Sequence, residues 1–259
     1  GRARRAFNMS GGLHHAMPSR ASGFCHINDA VLAIHALLRA GKRVAYVDID
    51  AHHGDGVEHA FYTRSDVLTI SIHQTGYTIF PGSGFVEDIG DGPGEGYAVN
   101  VPLQPGAGDD AYDRALEEVV LPLLEAYAPD VLTTQLGADA IVGDAVANLR
   151  VSLRGFERSV TRFRSLDLPW IAFGGGGYDM GNVVRAWTLA WGVMVESDLP
   201  DEIPTTWAKR AASHGVSVPS LRGPDETPAT PDGVMKDLDD VIERLRVTVF
   251  PIASERAKP

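Results

Sequence analysis

The chain has 259 residues, 44% hydrophobic and 22% charged, a composition that fits one globular domain with a substantial core and excludes a disordered or fibrous chain. Its formal net charge of −11 excludes a phosphate-tracking nucleic-acid binder, which concentrates Lys and Arg on one face; the short basic start at Arg2, Arg4 and Arg5 does not reverse this. A single cysteine, Cys25, excludes an internal disulfide, and there is neither a signal peptide nor a run of about eighteen apolar residues, so a cytoplasmic location and no membrane partner are expected.

The sequence opens at Gly1 without an initiator Met and runs directly into RRAFNMSGG, as if cut from a longer protein. NDAVLAIHALLRAGK (28–42) predicts a helix capped by Asn28 or Asp29, with Val31, Ile34 and Leu38 at helical spacing and Gly41 at its stop. VAYVDID (44–50) predicts a buried strand, as do VLTISIH (67–73) and YAVNVPL (97–103). The Gly- and Pro-rich stretch between the last two is loop. DDAYDRALEEVVLPLLEAYA (109–128) has helical periodicity, with a kink or break expected at Pro122. VLTTQL (131–136) and WIAF (170–173) read as short strands on either side of a helix around 155–166, and NVVRAWTLAWGVMV (182–195) as an aromatic-rich helix. From 198 to 233 the composition shifts to Pro, Ser, Thr and charge, a surface excursion or flexible connection, before a closing helix over 234–250. Alternating strands and helices predict a single α/β domain over 1–259, with a largely parallel sheet covered on both faces.

Ligands of such sheets bind beyond the carboxyl ends of the strands. Three strand ends are unusual: DIDAHHGDG (48–56), GAD (137–139) and GGGGYD (174–179). Eight of the nine histidines also lie between His14 and His73. Side chains two apart share a strand face, so Asp48, Asp50 and His52 are expected to point the same way. A divalent cation such as zinc reconciles two acids and an imidazole on one face. Asp50 and His52 are its expected ligands, Asp48 serves another partner, and Asp139 behind Gly137 is the candidate third ligand; the alternative for Asp139 is a helix cap. His14 and His15, in SGGLHHAM, are either incidental or the base and acid that a zinc hydrolase needs, with Asp48 and Asp55 available to orient them. The GGGG run has no following Lys-Ser or Lys-Thr and does not fit G-x-G-x-x-G, which argues against a phosphate cradle. A sharp turn carrying Tyr178 towards the metal fits better, where its phenol can hydrogen-bond an oxyanion; the alternative is an ordinary tyrosine.

GGLHHA (11–16), SGFCHIND (22–29), DIDAHHGDGVEHAFY (48–62), FPGSG (80–84), DIGDGPGEGYAVNVPL (88–103), GADAIVGD (137–144) and GGGGYDMGNVVRAW (174–187) closely resemble the histone deacetylase family, and within it the bacterial acetoin-utilisation (AcuC-type) deacetylases. The resemblance implies a three-layer α/β/α, arginase/deacetylase-like fold with a mainly parallel central sheet, here lacking its N-terminal part and so exposing a sheet edge. It implies Zn²⁺, with Fe²⁺ as the alternative, on Asp50, His52 and Asp139. His15 would be general base and acid, oriented by Asp55; His14 would assist electrostatically, oriented by Asp48; Tyr178 would stabilise the oxyanion. Phe24 and Phe80, with Gly23, Val146 and Gly176, would line the tunnel around an acyl-lysine stem. A structural K⁺ or Na⁺ would use Asp48, Asp50, His52 and Ser71, partly through backbone oxygens, and a second would use carbonyls around Phe61, Arg64 and Val67. The implied activity is hydrolysis of the acetyl amide of N6-acetyl-lysine in a protein substrate, an acyl-CoA synthetase being one expected from the family. Where the family continues Asp-Pro-Leu, this chain has Asp144, Ala145 and Val146, which implies a wider tunnel wall. The rival readings are an acetylpolyamine deacetylase, a two-manganese ureohydrolase, against which Gly54 in the last position of its Asp-x-His-x-Asp pattern argues, and a non-catalytic acetyl-lysine-binding module.

Overall fold

Six strands build one sheet in the computed structural model, which describes residues 3–224 and 229–256; residues 225–228, within the Pro-rich stretch, lie outside the described residues, as do both chain ends. The strands are β1 (Arg5–Asn8), β2 (Val44–Asp48), β3 (Val67–Gln74), β4 (Ala98–Leu103), β5 (Val131–Gln135) and β6 (Trp170–Phe173). They lie in the order β1-β6-β5-β2-β3-β4, and every adjacent pair is parallel.

The helices are α1 (Asp29–Arg39), α2 (Asp55–Phe61), α3 (Asp109–Ala115), α4 (Leu121–Tyr127), α5 (Leu153–Ser165), α6 (Met180–Met194), α7 (Thr205–Ser213), α8 (Asp232–Thr248) and α9 (Phe250–Arg256). All residues of β2, β3 and β5 are buried, because helices cover both faces of the sheet. Alternation along β2 divides its side chains between two cores. Val44 and Tyr46 pack with Ala30 and Ile34 of α1 and Val57 and Phe61 of α2. Ala45 and Val47 join the larger core formed with residues of α3 to α6 and α8.

Four elements differ from the expectation. The 109–128 helix is α3, a π-helical turn over Leu116–Val120, and α4 with Pro122 in its first turn; lacking an N–H and crowding the preceding turn, the proline makes the ladder widen ahead of it rather than break. Arg5–Asn8, to which the sequence assigns no element, pairs with Trp170–Phe173 as β1 and stands at the sheet edge. β2 ends at Asp48, two residues early. The 198–233 excursion contains α7, none of whose residues is buried. Among the described residues, no helix is long and apolar enough to cross a membrane.

Candidate active site

β2 and β5 are neighbours from which the strand order runs outwards in opposite directions, the arrangement that opens a crevice at the carboxyl ends of an α/β sheet. The segments after β2, β5 and β6 meet there. Past Asp48 the backbone turns, and each carboxylate accepts the N–H two residues on: Asp50 N donates to Asp48 Oδ1 at 3.1 Å and His52 N donates to Asp50 Oδ1 at 2.9 Å. Asx-type turns, not a continuing strand, therefore bring Asp50 and His52 together.

His52 Nδ1 lies 3.1 Å from Asp50 Oδ1 and 3.0 Å from Asp139 Oδ2. One ligand atom from each of these three buried residues lies within 4.8 Å of the others. Backbone amides fix the remaining oxygens, Gly176 N donating to Asp50 Oδ2 at 2.7 Å and Ala51 N to Asp139 Oδ1 at 2.8 Å. Gly176 packs so close that a Cβ would collide with the Asp139 carboxylate, which is why a residue without a side chain is required here. Burial and the Asp50 charge push the Asp139 carboxyl up to about 7. Burial pushes Asp50 up too, but His14 and His52 outweigh it and hold Asp50 below the usual carboxylate range. Burial lowers His52, yet its hydrogen bonds to Asp139 and Asp50 carry it to about 10. Without a cation the cluster therefore holds protons, on the His52 imidazole and in part on the Asp139 carboxyl. A divalent cation would take their place and leave a neutral ring nitrogen and two carboxylate oxygens as ligands, a donor set that fits zinc.

His14 and His15 face this cluster. His14 Nδ1 is 2.8 Å from Asp48 Oδ2, an oxygen that also accepts the Tyr46 hydroxyl at 2.6 Å. His15 Nδ1 is 2.7 Å from Asp55 Oδ1 in the first turn of α2. Burial lowers His14, but Asp48 and Asp50 raise it to about 9; burial and the His14 charge hold His15 below its ordinary value.

Three residues organise the site in ways the sequence reading missed. Asn28 caps α1 by accepting Val31 N at 3.1 Å, and its Nδ2 donates to His14 O at 3.1 Å and Ala16 O at 3.2 Å. Gln135 Nε2 donates to Gly12 O at 2.9 Å and lies 3.4 Å from Asp50 Oδ2. Tyr46 stands two residues before Asp48 on the same strand face, so period-two reasoning would have found it.

A cavity of about 100 Å³ is lined by Asp50, His52, Asp139, both histidines, Gly23, Phe24, Gly176 and Tyr178. It shares His15, Gly23, Phe24, His52 and Tyr178 with an outer cavity of about 540 Å³, to which Phe80 and Val146 also contribute. Phe80 meets the His15 ring edge-on at 4.9 Å, and Phe24 meets Tyr178 at 6.4 Å. Burial and the charge of Asp139 push the Tyr178 phenol up to about 12, so it remains a donor at neutral pH. Of the residues expected at monovalent-cation sites, Ser71 pairs with Asp48 in the ladder, and its hydroxyl lies 2.8 Å from His73 Nδ1. Phe61 ends α2, Val67 opens β3, and Phe61 O accepts Arg64 N at 2.9 Å. Gly54 lies against Asp48, where a Cβ would come within 2.5 Å of Oδ2.

The histone deacetylase domain profile matches residues 1–194. Histone deacetylase 1 of Homo sapiens is 45% identical over 199 residues, 77% of this chain and 41% of that protein. Histone deacetylase 9 of Arabidopsis thaliana is 44% identical, over 77% of this chain and 47% of its own. The chain thus spans less than half the length of these relatives. Among solved structures, an HDAC homolog complexed with SAHA superposes with a TM-score of 0.85 at 34% identity, covering 92% of this chain and 67% of its own. An HDAC homolog from Aquifex aeolicus gives 0.83 at the same identity and coverage.

Proposed function

The chain belongs to the histone deacetylase family, and from that premise we propose that it hydrolyses the acetyl amide of N6-acetyl-lysine in proteins, with Zn²⁺ as cofactor and acetate as product. The observation that carries this reading is the meeting of the Asp50, His52 and Asp139 donors with the His14–His15 pair and Tyr178 around one cavity.

A divalent cation held by Asp50, His52 and Asp139 would supply Lewis-acid polarisation of the acetyl carbonyl and of water. His15, kept neutral and aimed by Asp55, takes a proton at Nε2 from the attacking water as the new C–O bond forms. The Tyr178 hydroxyl donates to the oxyanion that develops on the former carbonyl. His14, charged and held by Asp48, offsets the negative charge gathering in the cavity. His15 then gives its proton to the lysine nitrogen as the C–N bond breaks, leaving acetic acid and a free amine, between which the remaining proton passes to give acetate and the lysine ammonium. Phe24 and Phe80 grip the methylene stem and exclude water.

Within the family we assign the chain to the AcuC-type deacetylases on its motifs, with a cytoplasmic acetylated enzyme such as an acyl-CoA synthetase as substrate. Structural K⁺ or Na⁺ beside Asp48 and Ser71, and near Phe61, Arg64 and Val67, belongs to the same proposal. The test is acetate release from an acetylated acyl-CoA synthetase peptide, an acetylated histone-tail peptide and an acetylpolyamine, assayed side by side. The first should give the highest kcat/KM; preference for the histone peptide overturns the subfamily assignment, preference for the polyamine overturns the protein substrate, and release from none overturns the activity.

A further inference from the structure

We propose that Asp144 is a positioning residue for Tyr178, a role that rests on the oxyanion function given to Tyr178 above. Tyr178 N donates to Asp144 Oδ2 at 2.7 Å, and Val146 N donates to Asp144 Oδ1 at 2.9 Å. Val146 follows β5 and Tyr178 follows β6, and both line the outer cavity. One half-buried carboxylate therefore ties together two walls of the mouth that belong to different strand ends.

The tyrosine needs such a tie because of what precedes it. Residues 174–177 are all glycine, and Gly175 and Gly177 have φ values of +139° and +148°, so the backbone itself offers little resistance to rotation. Upstream, Gly176 is fixed at its N–H by Asp50 and at its carbonyl by Ala138 N, both at 2.7 Å. Downstream, the Asp179 carboxylate accepts Asn182 N at 2.8 Å and starts α6. Between these anchors Tyr178 is 41% exposed, with Phe24 as its aromatic neighbour, so the backbone bond to Asp144 sets where the phenol points. The carboxylate acceptor makes that bond charge-assisted. Asp144 has a fixed base of its own: its N–H donates to Ile141 O at 3.2 Å, and Asn182 Nδ2 of α6 donates to Val142 O at 3.2 Å. Losing the carboxylate should misplace the phenol in the transition state while leaving the grip of Phe24 and Phe80 on the stem, so kcat falls and KM does not.

The experiment is a double-mutant cycle of Asp144→Ala with Tyr178→Phe, accompanied by amide hydrogen exchange at Tyr178 and thermal melts of each variant. Asp144→Ala is expected to lower kcat by about 10- to 100-fold with KM within about twofold, as the loss of one charge-assisted hydrogen bond allows. In the Tyr178→Phe background it should change kcat by less than about twofold. Asp144→Asn, which keeps one acceptor oxygen, should recover part of the rate, and it carries the comparison if the alanine variant melts too low to assay. Exchange at the Tyr178 amide should accelerate in Asp144→Ala, a readout that needs neither metal nor turnover. Additive effects in the cycle, or an unchanged Tyr178 amide, overturn the proposal. A wild-type chain that releases no acetate overturns the oxyanion role and the rate effect with it, while the exchange measurement still decides whether Asp144 fixes Tyr178.

Discussion

His14 and His15 meet Nε2 to Nε2 at 3.0 Å, so one ring must donate and the other accept. The carboxylates behind them decide which. Asp48 is fully buried and its charge raises His14, whereas the Asp55 side chain is 13% exposed and does not overcome burial and the His14 charge at His15. His14 is thus the donor and His15 the acceptor: the one lone pair of His15 Nε2 is engaged by His14, and it takes a proton from water only when that contact is released.

That assignment has a pH signature. His15 titrates below its ordinary 6.5, and only its neutral form accepts a proton. kcat/KM should be level through neutral pH and fall as pH drops through a value below 6.5. A pH profile whose acid limb lies above pH ~7 contradicts the assignment.

Mutating the two rings should have unequal effects. His15→Ala removes the proton carrier and should lower kcat by about 10²- to 10⁴-fold. His14→Ala removes a charge and a hydrogen-bond donor and should cost less, on the order of tenfold. Steady-state kinetics on one acetyl-lysine peptide settle the ranking, and equal losses would undo it.

Gly54 is expected to limit the site to one metal. A Cβ at this position would come within 2.5 Å of Asp48 Oδ2, so Gly54→Asp has no room to furnish a further ligand. Elemental analysis of that variant should find no more metal than in wild type, and its melting temperature should fall. A gain of a second bound metal contradicts this.

Asn28 joins stability to the site. Asn28→Ala loses a helix cap, costing about 1 kcal/mol, and leaves two backbone carbonyls near His14 without their donor, for roughly another 1–2 kcal/mol. Denaturant unfolding of the metal-free chain should therefore show a loss of about 2–3 kcal/mol. A loss under ~0.5 kcal/mol, the level of an ordinary surface change, counts against the clamp.

Much of the sheet is legible in the sequence because β2, β3 and β5 are rich in Val, Leu, Ile and Thr, the apolar and β-branched composition of a doubly covered strand. The residues that gather at the site are legible for another reason: carboxylates and histidines are rarely buried unless they are paired or bind a ligand. Their geometry is less so. Period two places Asp48 with Tyr46, but Asp50 and His52 converge through side-chain-to-backbone turns that no strand pattern describes. β1 alternates between half-buried and exposed over four residues, and its pairing with β6 rather than local preference makes it a strand. α7 buries no residue fully, and its half-buried face of Trp207, Ala208 and Ala211 is too short to stand out. The second role of Asn28 depends on bonds to residues 12 and 14 positions away, which its identity as a helix cap cannot disclose.

Zinc titration of the metal-free chain, with acetate release from an N6-acetyl-lysine peptide as the readout, tests the account most directly. Release should be absent without metal, rise with added Zn²⁺ to a plateau at about one ion per chain, and fail in Asp139→Ala at the same zinc concentrations. Acetate release that is insensitive to a chelator and survives Asp139→Ala would contradict the account.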